Sequence, residues 1–129
     1  MKSLKERRDF FLEYHYHFER REKPLAVVYG GYEYWFLASL HNHFDFFAMT
    51  DKNRMIIAGG FDPIPLEAIE RVKFGKDWLG YTTVKVWLNR RLPKNHKRFT
   101  LKMLPMQKVL PDQPEQIERL LSLLKPYER

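Results

Sequence analysis

The amino-acid sequence predicts a single α+β domain spanning residues 1–129, a run of antiparallel strands framed by one helix at each end. Three observations point there. Apolar residues recur at helical spacing near the two termini, and the middle of the chain switches to strand-like runs punctuated by Gly, Pro, Asn and Asp. The chain's 129 residues suffice for one hydrophobic core but not two. With 44% apolar and 16% aromatic residues it is also far too hydrophobic for a disordered segment.

Residues 3–22 read as the first helix, because Leu4, Phe11, Tyr14 and Phe18 fall on one stripe that Phe10 widens. Its polar face carries both signs of charge, which suits packing against the domain better than lying in a membrane interface. Pro24 closes this segment, so residues 1–23 form an added helix and 24–129 the main body. Leu25 to Tyr29 then reads as a strand broken by Gly30-Gly31, and Tyr34 to Leu40 as a second strand before a turn at His41-Asn42-His43. Phe44 to Thr50 and Arg54 to Ala58 follow as strands joined by the turn Asp51-Lys52-Asn53. In YWFLASL and FDFFAM the apolar residues occupy both parities, so these strands should be buried on two faces. The first helix or a second copy of the chain in a homodimer must supply the outer cover.

Pro63 and Pro65 mark a loop or sheet edge, and the apolar spacing of Leu66, Ile69 and Val72 leaves helix and strand in competition. Thr82 to Leu88 alternates cleanly, with Thr82, Val84, Val86 and Leu88 on one side and Thr83, Lys85 and Trp87 on the other. Phe99, Leu101 and Met103 make the matching inward set of a partner strand, with Arg98, Thr100 and Lys102 outward and the basic segment 89–97 as the connecting tip. The last helix opens on Asp112 as cap with Glu115 in capping-box position and Pro114 in the first turn, runs through Ile117, Leu120, Leu121 and Leu124, and ends at Pro126.

This order resembles the bacterial pleckstrin-homology-like (PH/GRAM-like) domains. Four stretches carry the likeness: FFAMTDKNRMII (Phe46 to Ile57), IPLEAIERV (Ile64 to Val72), the alternating hairpin from Tyr81 to Leu104, and the amphipathic helix opening Asp112-Gln113-Pro114-Glu115. The resemblance implies an antiparallel β-barrel of about seven strands with a C-terminal capping helix, to which the N-terminal helix is an addition. The turn between Asp51 and Arg54 is one residue longer than the usual form of that group. The charge here sits late in the chain, away from the early hairpin that eukaryotic relatives use for inositol phosphates, so no ligand residue carries over.

Function is best approached through charge. Residues 71–108 hold eleven of the 23 basic residues against one acid, Asp77, a local +10 in a chain whose net charge is +7. Everything else sums to −3, so the basicity is localised and can concentrate anions at one face. The candidate binding set is Lys85, Trp87, Arg90, Arg91, Lys94, Lys97, Arg98 and Lys102. An aromatic among cations suits an anionic lipid surface or an acidic protein partner. It suits nucleic acid as the rival reading. Equally, Trp87 can pack beneath the first helix with the tip merely solvated.

His41 and His43, with Asp45 nearby, would share a strand face as metal ligands do, whereas His15 and His17 on a helix would point about 200° apart. A metal-dependent hydrolase built on His41 and His43 is therefore the distant third reading, and no cofactor is expected. Ser3, Ser39 and Ser122 sit in no nucleophile elbow, and Gly59-Gly60 lacks the companions of a phosphate-binding loop. Glu33 and Asp45 can approach across neighbouring strands, where such a pair is usually structural. A non-enzymatic binding or scaffold module is the expectation. The absence of cysteine fits a reducing cytoplasm, and the charged start MKSLKERRDFF fits neither a secretion signal nor a membrane anchor.

Overall fold

The computed structural model describes residues 3–33 and 44–129. The expected strand Tyr34 to Leu40 and the turn at His41-Asn42-His43 lie outside the described residues. Within them the chain forms helix α1 (Leu4–Tyr14), seven strands and helix α2 (Gln113–Leu124). The strands are β1 (Pro24–Glu33), β2 (Phe44–Thr50), β3 (Arg54–Ile57), β4 (Ile64–Pro65), β5 (Ile69–Lys76), β6 (Thr82–Leu88) and β7 (Arg98–Met103). They make one antiparallel sheet in the order β4-β3-β2-β1-β7-β6-β5.

The two edge strands, β4 and β5, are consecutive in the chain and joined by the three-residue 3-10 turn Leu66–Ala68. Seven flat strands would hold those edges about 29 Å apart, yet four peptide units reach at most about 14 Å. The sheet is therefore open but strongly curled, which brings the joined ends of β4 and β5 near each other at this corner. No ladder joins β4 to β5 among the described residues.

The inner face carries the main core, where Val28, Phe47, Met55, Val86, Phe99 and Leu101 close on Leu120 and Leu124 of α2. Gln113 and Gln116 at the start of α2 serve the stretch of β1 that runs beyond its pairing with β7. Gln113 Nε2 donates to the carbonyls of Tyr29 and Leu104 at 2.8 Å each, and its Oε1 accepts the Tyr29 N–H at 3.2 Å. Gln116 Oε1 accepts the Val27 N–H at 3.0 Å. These side chains satisfy backbone groups that no strand reaches.

The outer face of β1, β2 and β3 is covered by α1, with Phe11 packed on Phe46 at 6.2 Å between ring centroids and Val27, Tyr29, Ala48 and Ile56 beneath. The two-sided burial expected of FDFFAM is therefore met by the helix. The helix itself is shorter than 3–22. His15 takes an extended conformation and ends it, since the run YHYHF is poor in helix formers. Phe18 still returns to pack edge-on against Phe11 at 5.4 Å, but Phe10 and Tyr14 face solvent rather than the core.

Two further expectations are corrected. Gly30-Gly31 does not break β1, which runs through both residues because β7 lies tight against them. A Cβ on Gly30 would sit 2.0 Å from the Lys102 carbonyl oxygen, so glycine is required where the strands meet. The capping box of α2 does not form either. Asp112 makes no side-chain cap bond and instead accepts two hydrogen bonds from Arg8 Nη1, at 2.8 and 3.0 Å, tying α1 to α2.

Candidate functional site: the basic outer face of the β5–β6–β7 sheet

While α1 covers the outer face of β1 to β3, the outer face of β5, β6 and β7 carries exposed cations. Cross-strand register places Arg71, Trp87 and Arg98 in one row and Lys73, Lys85 and Thr100 in the next. The Arg71 guanidinium lies over the Trp87 ring, 4.0 Å from its centroid. Trp87 is half-buried and does not lie beneath α1. Arg71, Lys73, Lys85 and Arg98 are exposed. Among the described residues, none of these four has a carboxylate within 4.0 Å. The three strands contain a single acid, Glu70, beside the β5 bulge.

The connecting loop 89–97 adds Arg91, Lys94 and Lys97, all exposed. It is held in place rather than loose. Asn95 is buried, accepting the Asp62 N–H at 2.8 Å and donating to the Asp62 carbonyl at 2.9 Å, while Asp62 Oδ2 accepts the Lys94 N–H at 2.9 Å. Arg90 is exposed but already engaged, donating to both Glu67 oxygens at 2.6 and 2.7 Å, and it holds the Glu67 carboxyl below its ordinary value.

Lys102 does not belong to the exposed set. Its alternation places it outward as expected, but the loop 77–81 folds over it and leaves it 7% exposed. Its ammonium pairs with Asp77 Oδ2 at 2.9 Å and approaches Glu33 Oε1 at 3.9 Å. Burial disfavours the Asp77 carboxylate, but the Lys102 ammonium and the N–H groups of Tyr81 and Leu79 outweigh it and hold the group below the ordinary range. Lys102 is thus a structural cation.

Of the residues expected from sequence, Lys85, Trp87 and Arg98 come together on the sheet and Arg91, Lys94 and Lys97 on the loop. Arg71 and Lys73 were missed. Their signal was present in the alternation of Arg71 and Lys73 with Val72 and Phe74, which the competing helical spacing of Leu66, Ile69 and Val72 obscured.

The remaining candidates lie elsewhere. His41 and His43 are outside the described residues. His15 and His17 follow the helix instead of riding on it, so their rings lie 5.4 Å apart rather than on opposite sides. No group of three metal-ligating side chains occurs among the described residues. Glu33 lies 3.9 Å from Lys102, which it shares with Asp77, and Asp45 lies 3.8 Å from Arg7, so the two carboxylates face different cations. A cavity of about 340 Å³ opens beside α1, lined by Phe10, Phe11, Tyr14, His15, Ala58 and Gly59 with Arg7 and Asp45 also at its wall. No described helix is long and apolar enough to cross a membrane. Compared with protein-family models, curated proteins and solved structures, the chain matches none of them.

Proposed function

We propose that this chain is a non-enzymatic binding module of pleckstrin-homology-like architecture, which docks the outer face of β5, β6 and β7 against a phosphate-bearing anionic partner. The strand order supports that architecture, being the order of a seven-strand meander barrel opened between its fourth and fifth strands, with α2 packed on the inner face. One observation carries the function. Arg71, Lys73, Lys85 and Arg98 stand on one exposed surface with Trp87 among them and no described carboxylate in reach, whereas two other basic residues of this region, Arg90 and Lys102, are neutralised by Glu67 and Asp77. Like charges held this close on a rigid sheet repel one another, and an anion relieves that repulsion.

Nucleic acid is the weaker candidate, because the ring face of Trp87 that a base would need is covered by Arg71. Binding of the folded chain to inorganic polyphosphate across a salt series tests the proposal. The wild type should bind with affinity falling as salt rises, and the Arg71→Glu, Lys85→Glu, Arg98→Glu triple variant should lose about tenfold or more at low salt. Equal binding by wild type and triple variant would sink it.

A further inference from the structure

We infer, building on that anion recognition, that the partner is an anionic lipid bilayer and that the β5–β6 hairpin anchors the chain in it through Trp78 and Leu79. Trp78 is 89% exposed, the most exposed large apolar side chain among the described residues, and its neighbour Leu79 is 52% exposed. The exposure does not come from a slack loop. Asp77 Oδ1 accepts the N–H groups of Leu79 at 3.0 Å and Tyr81 at 2.9 Å, the Asp77 carbonyl accepts the Gly80 N–H at 2.9 Å, and the Tyr81 carbonyl accepts the Asp77 N–H at 3.0 Å. Gly80 supplies the left-handed φ of +83° that closes the turn. Asp77 is itself fixed from below by Lys102. A buried ion pair and four hydrogen bonds therefore hold a Trp-Leu pair out toward water, with Trp78 almost fully exposed and Leu79 about half exposed.

Charge complementarity selects the occupant. Lys76 borders the loop, and Lys73 faces Lys85 across the ladder three positions further back, roughly 10 Å along the strands. A tip seated at headgroup depth would hold Lys76 beside the lipid phosphates and Lys73 and Lys85 a little beyond one Debye length, about 8 Å at physiological salt. Trp is the side chain that favours that depth, with its ring at the acyl boundary and its N–H toward the headgroups. A soluble polyanion satisfies the lysines but gives Trp78 and Leu79 no apolar phase. A bilayer with acidic lipids satisfies both.

The test uses the full chain with vesicles of phosphatidylcholine alone or mixed with phosphatidylglycerol, and inorganic polyphosphate as the soluble control. The wild type should co-sediment with the acidic vesicles and not with the neutral ones. Brominated acyl chains should quench its tryptophan emission, and Trp78→Phe should remove that quenching. The Trp78→Ser, Leu79→Ser variant changes only exposed side chains and should lose vesicle binding by about tenfold or more while keeping polyphosphate binding. Unchanged vesicle binding by that double variant, or quenching that persists in Trp78→Phe, would overturn the anchor. Wild type that binds polyphosphate but no vesicle would overturn the bilayer while leaving anion recognition standing. Wild type that binds neither would end both.

Discussion

Glu22 and Arg54 form a buried ion pair that fastens the connection between α1 and β1 to the start of β3. The Glu22 side chain is fully buried, and its Oε2 accepts Arg54 Nε at 3.0 Å while Arg54 Nη2 also reaches the His17 carbonyl at 2.6 Å. Burial by itself would raise the Glu22 pKa, but hydrogen bonds from Arg54, the Glu19 N–H and the Thr50 hydroxyl overcome it and hold the carboxyl at about 2. A carboxyl lowered from 4.5 to about 2 contributes roughly 3 kcal/mol, fully present above the unfolded value and lost as pH falls toward the folded one. Glu22→Gln should therefore cost about 3 kcal/mol in urea unfolding at pH 7, with the difference from wild type shrinking between about pH 4.5 and pH 2. A difference that stays constant across that window would show that the pair does not carry the stability.

A second pH step belongs to His15. Burial, with His17 adding to it, pushes the imidazole below its usual value, and its Nδ1 accepts the His17 N–H at 3.3 Å. The unfolded chain then binds the proton more readily than the folded one, so stability falls as pH drops below about 6.5 through the folded-state value. The thermal midpoint should decline between pH 7.5 and 5.5, and His15→Gln should flatten that decline.

Gly30 and Gly75 offer a paired test of the sheet. Gly30→Ala forces a Cβ into the Lys102 carbonyl oxygen and should cost more than about 3 kcal/mol or prevent folding. Gly75→Ala meets Thr83 Oγ1 at an ordinary 3.6 Å and should stay within about 1 kcal/mol of wild type. Circular dichroism of the two variants through denaturation separates them.

Gln113 is 2% exposed and serves three backbone groups of Tyr29 and Leu104. Gln113→Leu keeps the apolar volume but strands the Tyr29 N–H, and it leaves the Tyr29 carbonyl only the Leu104 N–H at 3.3 Å and the Leu104 carbonyl only the Met106 N–H at 3.0 Å, so it should lower stability by about 2–3 kcal/mol. An unchanged denaturation midpoint would mean water replaces the side chain.

Lys102 and Arg98 separate stability from binding. Lys102→Met leaves the Asp77 carboxylate without its cation and should destabilise the fold by about 1–3 kcal/mol, with polyphosphate binding of the folded fraction unchanged. Arg98→Glu should do the reverse, lowering binding with little change in the denaturation midpoint.

Much of the sheet is legible in the sequence because strands such as Thr82–Leu88 and Arg98–Met103 write their burial into alternating residues. The turn at 51–53, with Asn53 at φ +56°, and the amphipathic stripe of α2 are local signals of the same kind. Where a distant segment intervenes, such signals mislead. Gly30-Gly31 looks like a break until β7 is seen to need the space, and Asp112 looks like a cap until Arg8 of α1 takes its carboxylate. Arg71 and Lys73 joined the basic face only once the segment after Ile69 paired with β6.

By itself, then, the sequence determined an α+β chain with a concentrated positive charge and told which face of the hairpin strands Lys85, Arg98 and Lys102 take. It did not tell which of those charges meet water. Arg98 and Lys102 have the same parity on β7, yet one is exposed and the other is buried beneath the loop 77–81 and paired with Asp77. Periodicity reports the direction of a side chain relative to its own strand, whereas burial depends on what other segment comes to lie over it. Only the tertiary structure supplies that segment.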